Sequence, residues 1–267
     1  MTVSARPLHE SLLAGAFDRQ AAAFERAPIQ TDPRLLSGLV GFAGLPVGAT
    51  VLDAGCGPGL VAEALLLDPR GYRVLGCDLS GKMIARARAR CSRFGARAEL
   101  VQAALADVAE EIASGRRPPV DAAVTRLVLH HVPDPRAFVA LMASCVRPGG
   151  IVVLADHLAD PDPELAEWHR SVEVMRDCSH VANLSGGGLL DAAALAGLVD
   201  LRYEERAIAT EFDEWFDRGT PCAAKEECRA LLLAPEGRGS RAWRARELPD
   251  GGIRLEGVVG LVRGARP

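Results

Sequence analysis

Val51-Leu52-Asp53-Ala54-Gly55-Cys56-Gly57-Pro58-Gly59-Leu60 is the stretch on which the fold of this chain turns. An apolar run ending in an acid reads as a buried strand, and glycines at 55, 57 and 59 read as a tight loop. Without a Cβ, glycine lets the main chain bend sharply and lets a ligand come close to the backbone. A loop of this kind between a first strand and a helix is how doubly wound α/β folds build a nucleoside pocket.

Residue types separate the candidate nucleosides. A dinucleotide fingerprint asks for G-x-G-x-x-G, but Leu60 holds its third position and Gly59 comes one residue early. Asp53, two residues before Gly55, opposes a pyrophosphate and suits a cationic ligand, or else fixes the loop through its amides. Further on, Arg73-Val74-Leu75-Gly76-Cys77-Asp78-Leu79-Ser80 is a short apolar run ending in an acid 21 positions past Gly57. A carboxylate there can accept from both ribose hydroxyls, and the competing reading is a helix N-cap, with Ser80 as rival. A helix from about Gly81 to Arg93 sets Met83 beside that acid, its thioether available to the adenine face.

The segment Val120-Asp121-Ala122-Ala123-Val124-Thr125-Arg126-Leu127-Val128-Leu129-His130-His131-Val132-Pro133-Asp134-Pro135 and the later Val146-Arg147-Pro148-Gly149-Gly150-Ile151-Val152-Val153-Leu154 complete the pattern. With the glycine loop, they resemble the class I S-adenosylmethionine-dependent methyltransferases, in particular the methyltransferase type 11 and ubiquinone-biosynthesis group. Members of that group carry a similar L-x-H-H-V-x-D-P run and an R-P-G-G turn before strand five. The resemblance covers roughly Phe17 to Leu201. It implies an α/β, Rossmann-like class I methyltransferase fold: a seven-stranded, mostly parallel sheet with helices on both faces, a helical lid, and a last strand inserted antiparallel between strands five and six. It also implies S-adenosyl-L-methionine as cofactor, held by Phe17, Asp53, Gly55, Gly57, Asp78, Leu79, Met83, Ala104, Leu105, Arg126, Leu127 and His131. The chain departs from the family at Ala104, where an acid usually meets the adenine amino group; backbone groups of Ala104 and Leu105, or Asp107 reaching back, are the substitutes at hand.

The expected organisation is an N-terminal helical cap over 1–45, with Phe17 folding over the cofactor or forming an ordinary buried helix face; a cofactor-binding core over 46–156; a lid helix and loop over 157–190; and a C-terminal part of the core over 191–267. The lid follows Asp160-Pro161-Asp162-Pro163 as an amphipathic helix bearing Leu165, Trp168, His169, Val172 and Met175. Leu201 to Ile208 reads as strand six, a helical segment bears Phe212, Trp215 and Phe216, and Ile253 to Val262 reads as the final strand. Arg238, Arg241, Arg244 and Arg246 lie in a Gly/Pro-punctuated stretch read as a surface loop.

A chain of 267 residues, 49% apolar, buries a large core. Its formal net charge of −4 offers no general attraction to nucleic acid or anionic membrane. The basic run Lys82, Arg86, Arg88, Arg90, Arg93 and Arg97 has no interleaved aromatics and reads as a solvated helix face. Seven scattered cysteines make no metal spacing, and most of them read as small core residues of a reducing compartment. With no apolar run of membrane-spanning length, the expected location is the cytoplasm, and a homodimer stays open.

A sulfonium activates its methyl group, so the protein has to align an acceptor and exclude water. A base is required only when the nucleophile starts protonated, and His157, His180 and His131 are the candidates by position. Adjacent His130 and His131 are expected to diverge, and no metal site is assigned. The chain has no N-P-P-Y-like run after strand four and no basic groove. The expected acceptor is therefore a small, mostly hydrophobic metabolite beneath the aromatic lid. An NAD(P)-dependent oxidoreductase and a cofactor-binding protein without transferase activity are the alternatives.

Overall fold

A computed structural model describes residues 5–235 and 239–267, with side chains from Glu10 onward. Strands β1 (Thr50–Ala54), β2 (Arg73–Asp78), β3 (Ala98–Gln102), β4 (Val120–Arg126) and β5 (Val146–His157) pair in parallel. Two long strands, β6 (Val199–Glu211) and β8 (Ile253–Ala265), complete the order β3-β2-β1-β4-β5-β8-β6, with β8 antiparallel to both neighbours. The expected insertion of the last strand is therefore present. The chain runs outward from β1 to β3 and crosses back to β4, so the sheet has a topological switch point beside the tip of β1, where open α/β sheets bind ligands.

Alternating side chains of the strands feed a separate apolar cluster on each face. Val51, Val74, Val124 and Val153 pack under α3 (Pro33–Ala43), α4 (Leu60–Leu67) and α5 (Gly81–Cys91). Leu52, Leu75, Ala123 and Val152 pack under α6 (Leu105–Ala113), α7 (Pro135–Cys145) and α9 (Gly186–Leu195). Around the carboxyl ends lie α1 (Ala5–Phe24), α2 (Pro28–Thr31), α8 (Pro163–Arg176), α10 (Phe212–Asp217) and α11 (Lys225–Leu232).

Several expectations are corrected. The arginine-rich stretch is not a loop throughout: β7 (Trp243–Glu247) pairs antiparallel with β8 and makes the sheet eight-stranded. Trp243 and Ala245 face inward while Arg244 and Arg246 face out, and Arg244 pairs with Glu256 at 2.6 Å; Arg238 lies outside the described residues. Nor is the basic run of α5 simply solvated. Arg90 bridges Glu25 and Glu63, Arg93 pairs with Glu63, and Arg86 pairs with Glu25, so these charges tie α5 to α4 and to the end of α1. The cysteine reading holds: five of the seven are buried, as expected of most, while the exposed Cys178 and Cys222 have neighbouring thiols. The Arg-Pro-Gly-Gly turn is absorbed into the start of β5, where a Cβ on Gly150 would fall 2.5 Å from the Asp121 carbonyl oxygen. Among the described residues, no helix is long and apolar enough to cross a membrane.

Candidate functional site

The glycine loop carries positive φ at Gly55 (72°), Gly57 (50°) and Gly59 (82°), a conformation that costs side-chain-bearing residues dearly. A Cβ on Gly55 would strike Val128 at 2.6 Å, and one on Gly59 would approach Ala87 at 3.0 Å. At Gly57 it would meet nothing within 4 Å, so there the bare backbone borders open space. The Asp78 carboxylate braces this loop: Oδ2 accepts the Gly57 amide at 2.9 Å and Oδ1 the Ser80 amide at 2.8 Å. The helix cap is Ser80, whose Oγ accepts the Met83 amide at 3.0 Å. Burial pushes the Asp78 pKa up while the two amides oppose the shift, and each oxygen keeps a lone pair for a sugar hydroxyl.

Asp53 is buried at the end of β1, and its Oδ2 has no hydrogen-bond partner. Burial first, and the neighbouring Asp78 charge second, raise its pKa to about 7. An orphaned buried carboxylate oxygen beside an open glycine cradle fits a cationic ligand better than a diphosphate. Met83 is buried below Asp78, and Leu79 is half-buried at the lip, its carbonyl receiving Gln102 at 3.2 Å. Asp107 does reach back at β3, but to the Ala104 amide, at 3.1 Å. That occupies the very donor expected to serve the adenine. Leu105, buried, opens α6 at the same tip.

Arg126, whose charge is felt by Asp53, is tied by its own hydrogen bonds to the N-terminal segment. Its guanidinium donates to the Ile29 carbonyl at 2.8 Å and to Gln30 Oε1 at 3.0 Å, fastening β4 to α2, and burial lowers its pKa to about 10. Leu127 follows with φ 58°, rare for a branched side chain, and swings the chain into a 3-10 turn over Leu129–His131. Successive side chains do not alternate in such a turn, so His130 and His131 do not diverge; their ring centroids lie 4.2 Å apart.

The turn gathers four histidines. His130 Nδ1 lies 2.5 Å from Asp156 Oδ1 and the His130 amide donates to Asp156 Oδ2, while its ring stacks at 5.4 Å on His180 and stands 5.8 Å from His157. His131 Nδ1 faces Ser179 and its ring meets the edge of Phe17 at 4.9 Å. Burial, reinforced by the His130 charge, depresses His131 and His157 to about 3; burial likewise brings His180 to about 4. Those three rings are neutral at pH 7 and weakly basic. Burial acts on His130 as well, but the charge and hydrogen bond of Asp156 outweigh it and raise the pKa; Asp156 is lowered in return, against its own burial, by His130. Sequence reasoning passed over His130 in favour of its neighbour; the available signal was Asp156, an acid at the very end of the strand paired with β4.

His130, His131 and His157 floor a narrow pocket, walled by Glu173 and Arg176 of α8, Trp215 of α10, and Arg218 just beyond it. Phe24, Gln30 and Leu127 close another side. The apolar lid expected here is not what lines it. Trp168 and Phe216 are buried in the core cluster that holds Phe212 and Trp243, and Trp215 supplies the aromatic wall. Beside the pocket, Gln20 of α1 donates to Asp177 Oδ2 and Thr220 Oγ1, each at 2.8 Å. Among the described residues no cluster of histidine, cysteine or carboxylate side chains could hold a metal ion.

The strand order, the cradle after β1 and the acid at the tip of β2 define a class of nucleoside-binding α/β enzymes. Within it, this chain belongs to the class I S-adenosylmethionine-dependent methyltransferases, the family model described as a methyltransferase domain matching residues 27–202. A ubiquinone biosynthesis O-methyltransferase of Xanthomonas axonopodis pv. citri is 34% identical over 110 residues, 41% of this chain and 44% of that protein. A tRNA 5-carboxymethoxyuridine methyltransferase of Escherichia coli is 37% identical over 111 residues, 41% of this chain and 40% of that protein. The matches thus span less than half the length of these relatives. Among solved structures, the YcgJ protein from Bacillus subtilis superposes with a TM-score of 0.73 at 24% identity, covering 87% of this chain and 98% of that one, a likeness of fold.

Proposed function

We propose that this protein transfers the methyl group of S-adenosyl-L-methionine to a hydroxyl of a small metabolite, with His130 as the base. The observation that carries the reading is the buried hydrogen bond between His130 Nδ1 and Asp156 at the pocket floor. A base so oriented is useful only where the nucleophile begins protonated, which favours oxygen over an already neutral amine. When bound, the cofactor supplies an electrophilic methyl carbon on sulfur. Asp53 and the glycine loop would hold its charged amino-acid end, and Asp78 its sugar; Met83, Leu79 and Leu105 would border its adenine. Phe17, on α1, and the lid helix α8 would cover donor and acceptor and keep water out. His131, His157 and His180, held neutral by burial, would shape the acceptor's surroundings and leave the proton to His130.

The histidine, glutamate and arginine walls of the pocket support a small acceptor with polar groups more than the largely hydrophobic scaffold expected from sequence. The α5 arginines are engaged by Glu25 and Glu63, which speaks against a nucleic-acid surface on that helix. The test is mass spectrometry of products after incubation with methyl-labelled cofactor and a panel of hydroxylated and aminated metabolites. Label on hydroxyl oxygens supports the reading; label confined to nitrogen or carbon overturns the choice of oxygen. A nicotinamide absorbance change without any methyl transfer overturns the class of reaction.

A further inference from the structure

Arg218, the residue that follows α10, lines the acceptor pocket and is almost fully enclosed, its side chain 6% exposed. Its Nη1 donates to both carboxylate oxygens of Glu214, at 2.8 and 2.9 Å, which uses one side of the guanidinium. On the other side Nε is buried and has no hydrogen-bond partner. Arginine presents Nε–H and one Nη2–H as parallel donors along that edge, a spacing that matches the two oxygens of a carboxylate. Buried donors are almost always paired in native proteins, so an unpaired Nε on a residue that lines the pocket is a candidate partner for a ligand's acceptor atoms.

Arg176 stands beside it: its Nε donates to the Trp215 carbonyl at 3.0 Å and its guanidinium lies 5.2 Å from the centre of the Trp215 ring. Its charge faces Glu173 and Asp177, each at 3.8 Å, as that of Arg218 faces Glu214. The wall therefore carries no excess of positive charge. Recognition there is directional, through an edge of two donors, rather than a general attraction for anions.

We propose that the methyl acceptor is a small hydroxy acid, its carboxylate received side-on by the Nε–Nη2 edge of Arg218 while its hydroxyl meets His130. The proposal deepens the reading of methyl transfer to a hydroxyl and rests on it for the second contact. Arg218 on this account is a specificity-determining residue: it fixes which molecule lies in the pocket and takes no part in moving the proton.

The experiment compares two matched probes, 3,4-dihydroxybenzoate and 3,4-dihydroxybenzamide, on the full chain with saturating cofactor. Methylation is read as kcat and KM, and binding is read separately by calorimetry with the demethylated cofactor. The acid is expected to exceed the amide roughly tenfold or more in kcat/KM and in affinity, as loss of a charge-assisted contact dictates. Arg218→Gln should erase that preference mainly through KM, and Arg218→Lys should restore part of it. Equal affinity of the wild-type protein for acid and amide, or no binding of the acid, overturns the proposal without recourse to any variant. If the acid binds through Arg218 but neither probe is methylated, the transfer reading fails and the carboxylate site stands.

Discussion

At the scale of single residues, the proposed proton acceptor, His130, is the one whose partner is fixed. Replacing His130 by Asn should lower kcat by about 10²–10⁴-fold while cofactor affinity stays within about twofold, and Asp156→Asn should follow it in part. Equal loss of turnover and cofactor binding would instead assign the pair to architecture. A base works when neutral, so the raised His130 pKa predicts that activity falls as pH drops through a value above the ordinary 6.5 of histidine. The same pair has a stability window. The His130 contribution is complete below its unfolded pKa and vanishes as pH rises through its raised folded one; the Asp156 contribution is present above its unfolded pKa, about 3.9, and is lost as pH falls through its lowered folded one. Together they stabilise most between about pH 4 and 6.5. Asp53 makes the opposite case: its carboxyl, with a pKa near 7, costs stability as pH rises from about 4 to 7. A cationic donor bound beside it should drive off its proton, so calorimetry at pH 6 in buffers of different ionisation heat should detect proton release that Asp53→Asn abolishes.

At the scale of elements, the loop between β1 and α4 is the least forgiving. Gly59→Ala places a Cβ at φ 82° against Ala87, a conformation that costs about 1–2 kcal/mol before any crowding. A fall in the urea midpoint at unchanged slope is the expected signature. Docking of α1 rests partly on Glu25, which Arg86 and Arg90 both engage. Glu25→Gln should speed amide exchange in α1 while leaving β1 and β4 protected. These elements differ in how plainly the sequence announces them. The strand-loop-helix at 51–67 is legible because glycine and the buried apolar run admit few other conformations. β7 is not: Trp243 to Arg246 alternate inward and outward, but both outward residues are arginines next to Gly- and Pro-rich chain, and composition hid the period. The histidine turn hid its geometry too, because the left-handed Leu127 that creates it carries no glycine to mark it.

For the whole molecule, the sheet order came with the family that the motifs resemble, while the pocket could not be read from sequence. Trp168 and Phe216 looked like a lid because their helices are amphipathic, yet amphipathicity gives only which face is buried, not whether it is buried against ligand or core. Here the core won, and charged side chains took the wall. Global stability offers a check on the cofactor assignment: S-adenosyl-L-methionine at 100 times its Kd should add about 2.7 kcal/mol and raise Tm by roughly 5–11 °C. NAD at the same concentration should leave Tm unmoved.

Asp18 accepts from Ser80 and from the Lys82 amide on the donor side, while Gln20 grips Asp177 and Thr220 on the acceptor side. The two fastenings are neighbours but one on α1, about 3 Å apart along its axis, and they point to opposite flanks. A helix clasped at both flanks cannot swing clear of one and stay latched to the other: were it a shutter that opens for the donor, it would also unlatch the room where the product waits.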